Sequence, residues 1–231
     1  MIQICIVAYF CKTHKASKMR YGVFGTGTVG LTISNRLAEL GHEVMIGTRE
    51  SLKSGDRLKS KNEAVKVGTF ADAAAFGEVL SNATNGAGSV EALKRAGEAN
   101  LNSKVLLDIS NPLDFSKGVP PMLFAMNTDS LGEEIQRTFP NLKVVKSLNT
   151  VTAAIMVNPV DVADGDQHVF VSGNDSGAKE TVTGILKGFG WIHILELGDI
   201  TTARGPEMYR PIWLRMWGAL GTGMSNIKIM K

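Results

Sequence analysis

Cysteine is absent from the 231-residue sequence after Met19; both cysteines, Cys5 and Cys11, precede it. That excludes disulfides, thiolate nucleophiles and thiolate metal sites from the remainder. Long apolar runs are missing as well. The opening "MIQICIVAYFC" stops at Lys12, which is too short to span a bilayer, and no positive residue comes before it as in an ordinary signal peptide. Charge excess is the third absence. The formal balance is +3, yet Lys12, Lys15 and Lys18 lie ahead of Met19, and without them 22 basic residues face 22 acidic ones. A neutral body with no basic stripe does not suit nucleic acid. The four histidines show no HxxxH spacing, so no metal site is expected.

Residues 1–18 are therefore expected to lie outside the fold, and a cytoplasmic protein without membrane contact is expected. Residues 19–151 read as a nucleotide-binding domain and 152–231 as a strand/helix lobe packed on it.

From Tyr21 onward, short apolar runs alternate with helical patterns. "YGVFG" is a strand, and the next helix runs from about Thr28 to Leu40, with Val29, Leu31, Ile33, Leu37 and Leu40 near helical spacing and Gly41 as its stop. Further strands are "EVMIGT", "AVKVGTF", "EVLSNAT", "KVLLDIS" and "KVVKSLN". Between them fall the helices "ADAAAFG", "SVEALKRAGEA", with Ser89 as cap, and "SLGEEIQRTF". Past Val151, "HVFVSG" and "WIHILELG" flank the helical "SGAKETVTGILKGF". This rhythm predicts an α/β fold: a Rossmann-type, doubly wound, mainly parallel sheet with a small C-terminal α/β extension. The irregular "NPLDFSKGVPPMLFAMNTD" has the length of a functional lid.

Ligands of such sheets bind beyond the carboxyl ends of the strands, and there stands Gly25-Thr26-Gly27-Thr28-Val29-Gly30. Gly25 permits a tight exit from the strand, Gly27 a close approach of backbone to a pyrophosphate, and Gly30 close packing of helix on strand. Unpaired N–H groups at the helix start favour an anion. An NAD site places an acidic residue at the end of the second strand to bond the ribose 2′-OH. This sequence has Thr48 and Arg49, with Lys53 one turn on, which suits the 2′-phosphate of NADP. In a shifted register Glu50 would take the acidic position instead, which counts against that reading.

No catalytic side chain is expected. His42 sits in a turn, His168 and His193 in apolar strand runs, and Asp108 reads as a hydrogen-bonding group at a strand end. Asn149 and Thr150 are positioned to orient a ring or carboxamide, or to serve a turn. In "PEMYRPIWLRMWGAL", Pro206 fits a first helical turn and Pro211 is expected to kink or break the helix. That segment reads either as a buried closing helix or as one whose aromatic face and Arg204 shape an acceptor pocket or a homodimer interface.

The motifs "GTGTVG", "IGTR" with Lys53, "DISNP", "LNTVTA" and "GDITTARGPEMYRPIWLR" together resemble the NADPH-dependent deazaflavin (coenzyme F420) reductases and the cytosolic domain of six-transmembrane ferric reductases. The resemblance implies that Thr26 to Val29 hold the pyrophosphate and Thr48, Arg49 and Lys53 the 2′-phosphate. It further implies that Ser81, Asn82 and Ala83, with Ser110, Asn111 and Pro112, line the nicotinamide half. The second cofactor then lies near the loop from Asn111 and the C-terminal segment. The archaeal enzymes carry His-Thr where this chain has Asn149-Thr150, and the ferric-reductase branch has Asn, so FMN, FAD or another small acceptor stands beside deazaflavin. The implied reaction is hydride transfer between NADP(H) and a flavin-like acceptor. The alternatives are a non-catalytic NADP(H) sensor and an imine reductase, whose long all-helical dimerisation domain the strand patterns after Val151 do not provide.

Overall fold

The computed structural model describes residues 18–49 and 64–230, so Glu50 and Lys53 lie outside the described residues. The chain begins β1 (Arg20–Phe24), α1 (Thr28–Glu39), β2 (Glu43–Thr48), β3 (Val65–Thr69), α2 (Phe70–Phe76), β4 (Val79–Asn82) and α3 (Gly86–Ala96). There follow α4 (Glu98–Leu101), β5 (Val105–Asp108), the short β6 (Leu113–Asp114) and β7 (Met122–Leu123), α5 (Leu131–Thr138), β8 (Lys143–Lys146) and α6 (Ala153–Val157). It ends with β9 (His168–Gly173), α7 (Ser176–Phe189), β10 (His193–Gly198) and α8 (Arg204–Leu220).

Eight strands form one sheet in the order β10-β9-β8-β5-β4-β1-β2-β3. The pairs from β3 across to β8 are parallel, β9 is antiparallel to β8, and β10 is parallel to β9. This is the Rossmann-type, mostly parallel sheet that the strand–helix rhythm predicts, and residues 168–198 extend it at one edge.

Alternation along the strands divides the core in two, because successive side chains point to opposite faces. Val79, Leu107 and Val145 join the face covered by α1, α6 and α7, while Leu80, Leu106 and Val144 join the one covered by α2, α3 and α5. Both faces are covered, so β1 can be buried at four of its five positions.

Three local expectations change. Ser89 does not cap α3: the helix starts earlier, Asn85 accepts from Ala87 N at 3.3 Å, and Ser89 is buried within it. Glycine makes the early start possible, since a Cβ on Gly86 would stand 1.9 Å from the Asn111 carbonyl oxygen. Pro211 does not break α8, which runs through it; proline there removes one backbone N–H bond, and side-chain anchors hold the rest. The irregular segment after Asn111 contains the antiparallel pair β6–β7.

Candidate active site

The order β5-β4-β1-β2 places the topological switch between β1 and β4, where the chain leaves the sheet in opposite directions. Two adjoining cavities open there, of about 900 and 580 Å³, sharing Ala83, Thr84 and Asn85.

The first cavity is lined by Gly25, Thr26, Gly27, Thr48 and Arg49. Its floor is the glycine turn. Gly25 has φ +113° and a Cβ there would meet the Ala83 carbonyl oxygen at 2.6 Å, so glycine is required twice over. A Cβ on Gly30 would lie 2.0 Å from the Gly25 oxygen, so this residue packs the helix on the turn and does not line the cavity. Gly27 differs: its φ is −77° and a Cβ would meet nothing within 4 Å. No side chain caps α1 and no acid stands in its first turn, which leaves the N–H groups and the positive end of the helix facing the cleft. Arg49 is exposed at the rim. Arg95 also lines this cavity, with its Nε 2.9 Å from Glu91 Oε1.

The second cavity takes Thr28, Val29, Ser110, Asn111, Asn149 and Thr152 from the sheet side. Asn111 and Asn149 clasp each other: Asn111 Nδ2 donates to the Asn149 carbonyl at 3.0 Å, and Asn149 Nδ2 donates to Asn111 Oδ1 at 3.0 Å. Leu148, with φ +62°, turns the chain in the left-handed region immediately before this clasp. On the other side the wall is Arg210 and Trp217 of α8.

Of the remaining residues singled out in the sequence, Ser81, Asn82, Pro112 and Thr150 are buried and line neither cavity. Asn82 supports the site from below. Its Nδ2 donates to Asp108 Oδ1 at 2.8 Å, and its Oδ1 accepts from Thr84 Oγ1 at 2.6 Å, so the β4 and β5 loops are tied together. Asp108 Oδ1 also accepts from Ser110 Oγ at 2.7 Å.

Beneath them lies a buried ion cluster. Lys146 Nζ is 2.5 Å from Asp108 Oδ2 and 2.8 Å from Glu207 Oε1, and donates to the Ser110 carbonyl at 2.8 Å. Burial by itself would lower the Lys146 ammonium, but the two carboxylates beside it reverse this and hold it above its ordinary value. Glu207 accepts from Leu131 N at 2.8 Å and Gly132 N at 3.1 Å, so it also meets the positive end of α5. The cluster is how α8 is seated against the sheet.

Arg204 does not reach the cavity. Its guanidinium pairs with Glu133, Nη2 to Oε1 at 2.6 Å and Nε to Oε2 at 2.9 Å, because the first turn of α8 lies against α5. Trp213 is fully buried beneath Trp217, ring centroids 5.2 Å apart, whereas Met208, Ile212 and Leu220 are exposed, so α8 is not the buried closing helix of the first reading. Thr84 and Asn85 fall in the stretch Ser81 to Gly88 that follows β4, and Trp217 in the aromatic C-terminal segment, both of which the sequence marks; Thr152 and Arg210 are the lining residues that sequence reasoning does not single out, although they lie within "LNTVTA" and "PEMYRPIWLR".

The described histidines, His42, His168 and His193, line neither cavity. His42 Nδ1 accepts from Met19 N at 3.3 Å, and the rings of His168 and His193 stack 5.0 Å apart. Among the described residues no group of His, Cys, Asp and Glu could hold a metal ion, and no helix is long and apolar enough to cross a membrane.

Residues 20–112 match the model of the family described as NADP oxidoreductase, coenzyme F420-dependent. A solved structure of a candidate F420-dependent NADP-reductase from Arthrobacter sp. FB24 is 53% identical, covers 92% of this chain and 100% of its own, and superposes with a TM-score of 0.89. The F420-dependent NADP reductase of Methanothermobacter marburgensis is 24% identical over 83% of this chain and 89% of its own. The rat metalloreductase STEAP3 is 26% identical over 81% of this chain, which spans 36% of that longer protein.

Proposed function

Since this chain belongs to the coenzyme F420-dependent NADP oxidoreductase family, and is thus an NADP-dependent oxidoreductase, we propose that it transfers hydride between NADP(H) in the first cavity and a deazaflavin- or flavin-like acceptor in the second. One observation carries the reading: the switch-point cleft has two adjoining chambers, one floored by an uncapped helix start and one walled by asparagine amides and a tryptophan.

The first chamber fits a dinucleotide. Gly27 leaves open space where a side chain would stand, and the N–H groups of Thr28 and Val29 at the helix start suit a pyrophosphate. Arg49 at the rim suits a 2′-phosphate, and the one acid among the described lining residues, Glu91, is paired with Arg95; Lys53 belongs to the same expectation. When bound, NADPH supplies the hydride from its nicotinamide ring. The protein's part is placement. Ala83, Thr84 and Asn85 stand between the chambers, the Asn111–Asn149 clasp fixes amide groups beside the second, and Ile109, Val151 and Trp217 line it with apolar surface. No side chain has to give or take a proton for hydride transfer.

The dinucleotide preference is tested by fluorescence titration. An exposed guanidinium–phosphate contact is worth about 1 kcal/mol and tenfold in affinity is about 1.4 kcal/mol, so Arg49 with its neighbours gives NADPH about tenfold tighter binding than NADH. Arg49→Asp should close that gap. Equal affinities in the unaltered protein would reject NADP selectivity at this rim. The acceptor is tested by following NADPH absorbance with coenzyme F420, FMN, FAD and ferric chelates in turn. Tight NADPH binding without turnover of any of them would point to the non-catalytic sensor.

A further inference from the structure

Arg210 is in an unusual position for a guanidinium. Its Nε and Nη1 are buried and meet no acceptor among the described residues, and its Cζ stands 4.0 Å from the Trp213 ring centroid. An aromatic face attracts the positive charge but does not take the in-plane N–H bonds that the fork offers. No carboxylate compensates it: the second cavity, which Arg210 lines, has no Asp or Glu in its wall. Arg204, six residues earlier on the same helix, shows the contrast, being gripped by Glu133. The unpaired groups extend to the opposite wall, where Thr152 Oγ1 is buried and has no partner. The two walls are held close, since a Cβ on Gly223, just past α8, would stand 2.8 Å from Thr152 Cγ2.

Buried donors without acceptors are rare in folded proteins and point to a missing partner. Here the missing partner must accept several N–H bonds, carry negative charge and fit beside an apolar, aromatic wall. We propose that Arg210, assisted by Thr152, forms an oxyanion subsite in the second cavity that takes the phosphate or carboxylate carried by the electron acceptor, so that the enzyme selects acceptors with an anionic tail. The inference rests on the reading of this cavity as the acceptor chamber. Burial pushes the Arg210 guanidinium down to about 10, so it still carries its charge at neutral pH. The subsite sets affinity and orientation; the hydride transfer itself involves neither residue.

The test is equilibrium binding, read by quenching of tryptophan fluorescence with saturating NADP present. The probes are FMN, riboflavin, which is the same ring system without the phosphate, and the flavin-free anionic dye 8-anilinonaphthalene sulfonate. The expected result is FMN at least tenfold tighter than riboflavin in the unaltered protein. Arg210→Gln should reduce that ratio to below threefold with riboflavin affinity little changed, and Arg210→Lys, which keeps the charge and the stem over Trp213, should restore part of it. Equal binding of FMN and riboflavin overturns the subsite, as does an equal loss of both in Arg210→Gln when Arg210→Lys behaves the same way. A weakening of NADP itself in Arg210→Gln would assign the guanidinium to the dinucleotide and likewise overturn it. If neither flavin binds, the acceptor reading fails for these rings and the dye decides: a tenfold loss in Arg210→Gln keeps the anion subsite, and an unchanged affinity removes it.

Discussion

Tyr21 shows what burial of a single polar residue does to the protein's response to pH. Its ring is enclosed between β1 neighbours and the edge of His42, 5.0 Å away, and its hydroxyl meets the Met19 sulfur at 3.8 Å. Burial, aided by the Glu78 charge, pushes the phenol from 10.0 up to about 12. The unfolded chain then loses its proton first as pH rises, so the folded state is favoured fully below pH 10.0 and loses that advantage as pH climbs toward 12. At about 1.4 kcal/mol per unit the loss is on the order of 2–3 kcal/mol. Urea unfolding at a series of alkaline pH values should show it, and Tyr21→Phe should flatten that part of the curve. An identical slope in the variant would place the alkaline sensitivity elsewhere.

Between residues and the whole stand the elements, and the turn from β1 into α1 separates glycine needed by the fold from glycine needed by a ligand. Gly30→Ala forces a methyl against the Gly25 oxygen, 2.0 Å from an ideal Cβ, so it should lower the melting temperature by several degrees or prevent folding. Gly27→Ala meets nothing and keeps an ordinary φ, so its melting temperature should stay within about 2 °C, inside the small effects of unstrained surface changes. Its NADPH affinity should nevertheless fall at least tenfold, because the methyl occupies space a pyrophosphate would approach. Differential scanning fluorimetry with and without NADPH reads both quantities. An unaltered ligand-induced shift in Gly27→Ala would remove this residue from the binding turn.

For the molecule as a whole, the decisive contact is the one that seats the last helix. Asp108 on β5, Lys146 on β8 and Glu207 on α8 form a chain whose interior member is buried completely, and Glu207 also satisfies two N–H groups of α5. Replacing Lys146 with Met leaves two buried carboxylates without their cation, which should cost about 3–5 kcal/mol in urea unfolding. Glu207→Gln keeps an oxygen for Leu131 N and should cost less. If the two variants were equally mild, α8 would owe its place to packing around Trp213 alone. Because α8 forms one wall of the second cavity, weakened seating should also reduce acceptor turnover more than NADPH affinity.

Much of this was legible in the sequence, and for a definite reason. The glycine spacing, the strand–helix alternation and the missing acid after β2 are local: neighbouring residues supply both the turn and the groups that line the first cavity, so Gly25, Gly27, Thr48 and Arg49 are named from the sequence. Cap positions were less secure. Ser89 reads as a cap from its type, but the close approach of Gly86 to the Asn111 carbonyl starts α3 earlier and leaves the cap to Asn85.

What the tertiary structure alone decided lies where distant segments meet. Residue type does not separate Arg204 from Arg210, two of the three arginines in α8, and the sequence reading favours Arg204; only the seating of α8 sends the first to Glu133 and leaves the buried Nε and Nη1 of the second unpaired at the cavity. Asp108 looked like a strand-end hydrogen-bonding residue, and became the anchor of an ion cluster because β8 and α8 bring Lys146 and Glu207 to it. The sequence by itself determined the sheet, the glycine turn and the family, because these follow from short-range pattern. The second cavity was decided by tertiary structure, because its walls are joined by hydrogen bonds and charges between segments that sequence order keeps far apart.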